Sequence, residues 1–127
     1  MREKVIEQRL VRAVKADGGL CPKFVSPGMD GMPDRLVLLP SARLAFVEVK
    51  APGKKPRPLQ LHRHEQLRAL GFRVYVLDSV EQIKPLLEDI FPKRVRAKGD
   101  WGAIAKSPKE KVEVAGRKAP QEGGDAR

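Results

Sequence analysis

The sequence predicts a mixed α/β domain with the element order α-β-β-β-α-β-α, followed by a flexible basic C-terminal tail. Three observations support this prediction. Apolar residues at helical spacing alternate with short apolar runs across residues 1–91, and glycines and prolines mark the ends of the runs. The length of 127 residues suits one domain. From residue 92 onward, apolar residues become scattered and basic residues accumulate.

The first element is a helix over about residues 2–16. The apolar residues of this helix recur at helical spacing and are Val5, Ile6, Leu10, Val11 and Val14. The segment Asp17-Gly18-Gly19 ends the helix. The apolar stretch Leu20–Val25 is compatible with an edge strand, and the residues from Ser26 to Met32 form a loop.

Two strands follow closely. Arg35–Leu39 is a β-branched and leucine-rich run that ends at Pro40, and Leu44–Lys50 is a second run. If these two runs form a hairpin, Asp34 lies at the start of the strand next to the one that contains Glu48. The next loop, Ala51–Pro58, is rich in proline.

The last three elements complete the domain. A helix is expected from Leu59 to Leu70, ended by Gly71. Phe72–Leu77 predicts a buried strand, and Val80–Ile90 predicts a final helix. Pro85 lies inside that helix and is expected to kink or shorten it.

The tail is assigned to residues 92–127, and the domain to residues 1–91. Each part carries a net charge of +5, so half of the total of +10 lies in the last 36 residues. The tail has too few large apolar residues to offset the entropy of ordering, which predicts flexibility.

Composition limits the class of protein. A net charge of +10 and a pI of about 10.1 favour a polyanionic partner, usually nucleic acid. The chain has no apolar run long enough to cross a membrane, and its N-terminus lacks a secretory signal. One cysteine, Cys21, excludes an internal disulfide. We therefore expect a cytoplasmic protein.

Two carboxylates are unusual for their surroundings. Glu48 lies in an otherwise apolar strand, and Asp34 lies just before the neighbouring strand, after the stiff residue Pro33. Because residues i and i+2 share a strand face, Glu48 and Lys50 point the same way. Mg²⁺ prefers oxygen ligands, and one or two carboxylates with waters can hold it. The alternatives are a simple Glu48–Lys50 pair and a turn-capping role for Asp34.

These residues resemble the PD-(D/E)XK nuclease superfamily and, within it, the small stand-alone viral and bacterial members of the VRR-NUC domain family. The resemblance covers roughly residues 1–90 and lies in three segments: Gly31-Met32-Pro33-Asp34-Arg35, Phe46-Val47-Glu48-Val49-Lys50, and the stretch from Ala51 to Gln60. It implies a restriction-endonuclease-like αβββαβ core with a mixed central sheet flanked by helices.

The resemblance also implies a Mg²⁺- or Mn²⁺-dependent endodeoxyribonuclease. Asp34, Glu48 and the Val49 carbonyl match the metal ligands, Lys50 matches the catalytic lysine, and Gln60 matches the family's glutamine. The family has a further acid on the first helix. Glu7 is the first choice for this catalytic acid, with contact to the metal through water, and Glu3 is the alternative.

The implied substrate is double-stranded or branched DNA, including four-way (Holliday) junctions. Basic residues near the expected site are candidates for DNA contact: Lys54, Lys55, Arg57 and Arg63. A domain this small that makes two symmetric cuts needs two active sites, so a homodimer is expected, in part by analogy with small family members.

Two other functions remain open at this point. One is a relative that binds nucleic acid without cleaving it, and the other is a basic RNA-binding protein, for example one associated with the ribosome. No organic cofactor is expected, since Gly53-Lys54-Lys55 lacks the spacing of a phosphate-binding loop. His62 and His64 do not share a helix face, which argues against a zinc site.

Overall fold

The computed structural model describes residues 2–93 and contains three helices around a three-stranded sheet. The predicted tail lies almost entirely outside these residues. No helix within residues 2–93 combines the length and apolar character needed to cross a membrane. The elements, in chain order, are α1 (Glu3–Ala16), β1 (Arg35–Leu39), β2 (Arg43–Val49), α2 (Pro58–Ala69), β3 (Arg73–Leu77), a 3₁₀ turn (Val80–Gln82) and α3 (Ile83–Ile90).

The sheet is mixed, as expected. β1 and β2 form an antiparallel hairpin in which Arg35 is paired with Val47, and β3 is parallel to β2 on its other side. The hairpin turn holds two non-glycine residues in the left-handed region, Ser41 at φ 66° and Ala42 at φ 58°. The parallel pairing of β2 and β3 is possible because α2 connects them as a crossover.

The two faces of the sheet carry different helices. Val37, Val47 and Val49 are fully buried against α1 and α3, whose apolar stripes complete the main core. On the opposite face, Phe46 and Val74 pack with Leu67 of α2 in a smaller cluster. Alternation along β2 therefore places Glu48 on the α2 side, as the period of two residues predicts.

The prediction of an edge strand over Leu20–Val25 is wrong. This segment makes only two isolated bridges to β1, Leu20 with Leu38 and Lys23 with Arg35. Between them, Pro22 accepts a hydrogen bond from Leu36 but has no N–H to return one. The missing donor explains why the pairing does not extend into a continuous ladder.

Pro85 shortens the last helix without kinking it. The α-helical part begins at Ile83, so Pro85 occupies the first turn, where a backbone N–H has no partner within the helix. The start of the predicted helix is a 3₁₀ turn instead.

Gly19 is expected to be sensitive to substitution. A Cβ at this position would lie 2.2 Å from the backbone oxygen of Leu38, so Gly19→Ala must push the 20–24 segment away from β1. We expect a loss of about 2 kcal/mol in the free energy of unfolding, measured by urea denaturation. Gly28→Ala is the control, because a Cβ there meets nothing within 4 Å. Equal effects of the two substitutions would contradict this assignment.

Candidate active site

The hairpin register brings two carboxylates together at one end of the sheet. Asp34 immediately precedes β1, and its Oδ1 accepts a hydrogen bond of 3.2 Å from the backbone N–H of Val49. Glu48 is next to Val49 in β2 and is only 4% exposed. Pro33, which is fully buried, anchors the approach to Asp34. The chain therefore holds both acids on ordered elements of the scaffold.

Lys50 and Gln60 converge on the same carboxylate. The Nζ atom of Lys50 lies 3.4 Å from Glu48 Oε2, and Gln60 Nε2 donates a 3.0 Å hydrogen bond to that oxygen. Gln60 Oε1 also accepts a 2.8 Å hydrogen bond from the backbone N–H of Arg57, at the start of α2. The Gln60 amide thus joins the helix N-terminus to Glu48, a double role that sequence spacing does not reveal.

The environment of the two acids disfavours their charged forms. Burial, followed by the negative charge of Glu48, raises the pKa of Asp34 to about 6, although the hydrogen bond from Val49 opposes the shift. Burial also raises the pKa of Glu48, against the lowering effects of Lys50 and Gln60. When two neighbouring carboxylates both have raised pKa values, an added positive charge stabilises their ionised forms.

One oxygen of Glu48 has no protein partner. Glu48 Oε1 is buried and accepts no hydrogen bond within the described chain, a costly arrangement for a carboxylate. This orphaned oxygen and the nearby Asp34 carboxylate have the hard-oxygen chemistry that suits Mg²⁺ or Mn²⁺. Residues 2–93 contain no cluster of three or more His, Cys, Asp or Glu side chains suited to a metal. The two acids would therefore need backbone or water oxygens, such as the Val49 carbonyl, to complete a coordination shell.

The acids Glu7 and Glu3 of α1 both act on the candidate site, but they differ in their contacts with the rest of the protein. Glu7 Oε2 accepts a 2.8 Å hydrogen bond from Arg35 Nε, and Arg35 also donates to the Cys21 carbonyl. Glu3 is exposed one turn earlier, and its charge raises the pKa of both Asp34 and Glu48. Glu7 is thus engaged by a cation and raises the pKa of Asp34, whereas Glu3 raises the pKa of both site carboxylates. The role of either as the α1 acid stays a prediction.

The predicted DNA contacts fall into two groups. Lys54, Lys55 and Arg57 are exposed in the loop between β2 and α2. Arg63 is engaged within the protein, because its Nε donates to the Asp30 carbonyl and its Nη1 to Gln66 Oε1. Arg63 therefore ties the 26–32 loop to α2, and its contact with DNA stays a prediction.

His64 is a buried polar residue that the sequence analysis did not select. It is fully buried one helical turn after Gln60, and neither ring nitrogen has a hydrogen-bond partner within the described residues. Burial, with the nearby charges of Arg68 and Lys50, lowers its pKa and favours neutral imidazole. His62 is exposed, so the two histidines do face different directions. The position of His64 four residues after Gln60, on the same face of the helix, is the sequence signal that could have identified His64.

Stability is expected to depend on the ionisation of Asp34. Its pKa is about 6 in the folded protein and close to the ordinary aspartate value of 3.8 in the unfolded chain. The folded state therefore binds more protons between these values, and this stabilising contribution is lost as the pH rises through about 6. In urea denaturation, the stability of Asp34→Asn relative to the unmodified protein should increase from pH 4.5 to pH 7.5. A difference between the two proteins that stays constant from pH 4.5 to pH 7.5 would contradict this prediction.

Comparison with known proteins places these features in a family. No family model matches the sequence. A protein named "Putative nuclease p44", from Acyrthosiphon pisum secondary endosymbiont phage 1, is 57% identical over 79 residues, which are 62% of this chain and 85% of that protein. A solved structure described as "VRR_NUC domain" has a TM-score of 0.64 and 36% identity, covering 69% of this chain and 97% of that one. The identity and the coverage of both relatives, together with the shared fold, show that this chain belongs to the VRR-NUC family.

Proposed function

We propose that this chain is a metal-dependent endonuclease that hydrolyses phosphodiester bonds in DNA. The similarity to a protein named as a nuclease and the VRR-NUC fold support nuclease activity. The observation that carries the finer proposal is the surroundings of Glu48. Lys50 and Gln60 contact its carboxylate, the charge of Glu48 acts on Asp34, and one buried Glu48 oxygen has no partner within residues 2–93.

Asp34, Glu48 and the Val49 carbonyl are the groups that would hold Mg²⁺ or Mn²⁺. When bound, such a cation neutralises charge on a phosphate and increases the acidity of water. The protein's own contribution is to hold the two carboxylates together, at the cost of raised pKa values for both. The Val49 N–H fixes Asp34, and the Gln60 amide fixes Glu48.

Lys50 supplies a positive charge beside the acids. Its ammonium group lies within 3.4 Å of Glu48 on a side chain that is 18% exposed, so it is positioned but still reachable by substrate. There it can stabilise the negative charge that develops on the phosphate oxygens as the bond to the attacking water forms. Gln60 acts as a positioning residue, since it contacts Glu48 and the start of α2.

Duplex or branched DNA is the proposed substrate. The net charge of +10 and the exposed Lys54, Lys55 and Arg57 suit a phosphate backbone next to the site. The aromatic residues Phe24, Phe46 and Phe72 stack edge to face on one another, which gives them a packing role. Recognition of backbone and shape is therefore favoured over stacking of single-stranded bases. Paired cuts across a four-way junction would require two active sites, which a homodimer with twofold symmetry supplies.

The test is cleavage of fluorescently labelled four-way junction, linear duplex and single-stranded RNA by the purified protein. We expect DNA cleavage with Mg²⁺ or Mn²⁺ and none with EDTA, and we expect the junction to be cut faster than the duplex. Light scattering at micromolar concentration should give the mass of a dimer. Cleavage that persists in EDTA would contradict metal dependence, and binding without any product would indicate a relative without turnover. RNA binding without a metal requirement would favour an RNA-binding role.

A further inference from the structure

A cationic groove lies against α1, on the face of the sheet opposite α2. The groove has a volume of about 620 Å³ and runs between α1, the 20–24 segment and the start of β1. We refer to it as the α1 groove. Its lining includes five basic side chains and one acid, which are Lys4, Arg12, Lys15, Lys23, Arg35 and Glu7.

Most of the positive charge in the α1 groove is uncompensated. Glu7 pairs with Arg35, and within residues 2–93 no salt bridge engages Lys4, Lys15 or Lys23. All three lysines are exposed, whereas Ile6, Leu10 and Val14 on the opposite stripe of α1 are buried in the core. Helical periodicity therefore separates a buried apolar face of α1 from a cationic face whose lysines make no salt bridge within residues 2–93.

The α1 groove begins beside the candidate active site. Arg35, which lines the groove, directly follows Asp34 in the chain and is held by hydrogen bonds to Glu7 and to the Cys21 carbonyl. From Lys4 to Lys15 the helix extends by about 16 Å. Phosphates of one DNA strand are spaced by roughly 3.4 Å along the duplex axis, so this length matches about five of them.

We propose that the α1 groove binds the phosphodiester backbone of a DNA duplex arm that leaves the active site on the α1 side. This inference rests on the proposed function, because it assigns a second contact surface for the same substrate. Lys54, Lys55 and Arg57 precede α2, which packs on the other face of the sheet. DNA would then be contacted on both sides of the carboxylate site. Charge complementarity supports this occupant, as does the lack of salt bridges to Lys4, Lys15 and Lys23 in the described part of the chain.

The test compares two triple variants with equal changes in net charge. Lys4→Gln/Lys15→Gln/Lys23→Gln removes the lysines of the α1 groove. The control, Arg9→Gln/Lys84→Gln/Lys93→Gln, removes three cations that line a cavity between α1 and α3 and do not line the α1 groove. Both are made in an Asp34→Asn background, and binding to a 5′-fluorescein-labelled 20-base-pair duplex is measured by anisotropy from 50 to 200 mM NaCl with EDTA.

The groove variant should lower the slope of log affinity against log salt by about 3, since each lost phosphate contact removes roughly 0.9. The control should keep the slope of the parent, and a Lys4→Arg/Lys15→Arg/Lys23→Arg variant should also keep it. Equal losses in the groove and control variants would overturn the proposal, because they would reflect net charge alone. Tighter binding of duplex RNA through the same three lysines would also overturn it.

This binding assay is independent of turnover. If the unmodified protein cuts no DNA in Mg²⁺ or Mn²⁺, the proposed function fails, and the salt slopes still report whether the α1 groove holds a duplex. If cleavage is observed but the slope does not change, only the groove assignment fails. Melting temperatures of the three variants within a few degrees of the parent show that the comparison is made on folded protein.

Discussion

Asp34→Asn is expected to reduce the rate of DNA cleavage at least about a thousandfold. Loss of a carboxylate that holds a catalytic cation removes several kcal/mol of transition-state stabilisation. The asparagine side chain has nearly the same shape, and its oxygen can still accept the 3.2 Å hydrogen bond from Val49. The fold should therefore remain, and duplex binding in EDTA should stay within a few-fold of the unmodified protein.

The matched control for this variant is Glu65→Gln. Glu65 is exposed on α2, and its substitution changes the charge by the same amount without touching the site. Single-turnover cleavage of labelled duplex and four-way junction measures the effect in both variants. An Asp34→Asn protein that cuts within tenfold of the unmodified rate would contradict the assignment of Asp34, and with it the two-carboxylate site.

Lys50→Ala is expected to lower cleavage by about a hundredfold to a thousandfold. The magnitude is that of removing one group that stabilises charge in the transition state. A second effect follows from the pair with Glu48. The Lys50 charge lowers the pKa of Glu48, so its removal should raise that pKa further and move the acidic limb of the pH–rate profile to higher pH.

This shift in the profile separates a role at the site from a purely structural one. Lys50→Arg keeps the charge and should retain an acidic limb close to the original, even if its rate is reduced. Lys84→Ala, on the exposed side of α3, should change neither the rate nor the profile. A Lys50→Ala protein with an unshifted profile would show that Lys50 does not act through its charge on Glu48.

Strand periodicity and turn residues were sufficient to predict the elements that hold the candidate site. The runs Arg35–Leu39 and Leu44–Lys50 were predicted as strands, and the structure pairs them in the antiparallel hairpin that would bring Asp34 beside Glu48. Alternation then placed Glu48 opposite the core face, where Val47 and Val49 are buried. These features are local, so one sequence contains the information needed to predict them.

Other features depend on contacts between distant segments, which periodicity cannot reveal. The pairing of Glu7 with Arg35 joins residues 28 positions apart. The link from Gln60 to Glu48 depends on how α2 packs against the sheet. At Leu20–Val25 the local pattern was misleading, because the apolar run suggested a strand but Pro22 cannot supply the donor that a ladder requires.

The register of the hairpin also limits how the chain length can vary. A residue inserted into β2 before Glu48 would turn Glu48 toward the valine core, and one inserted into β1 would move Asp34 out of register with Val49. The same insertion between Pro40 and Ala42 would lengthen only the turn and preserve every cross-strand pair. Insertions and deletions that keep the protein working should therefore be confined to this turn and absent from the two strands beside it.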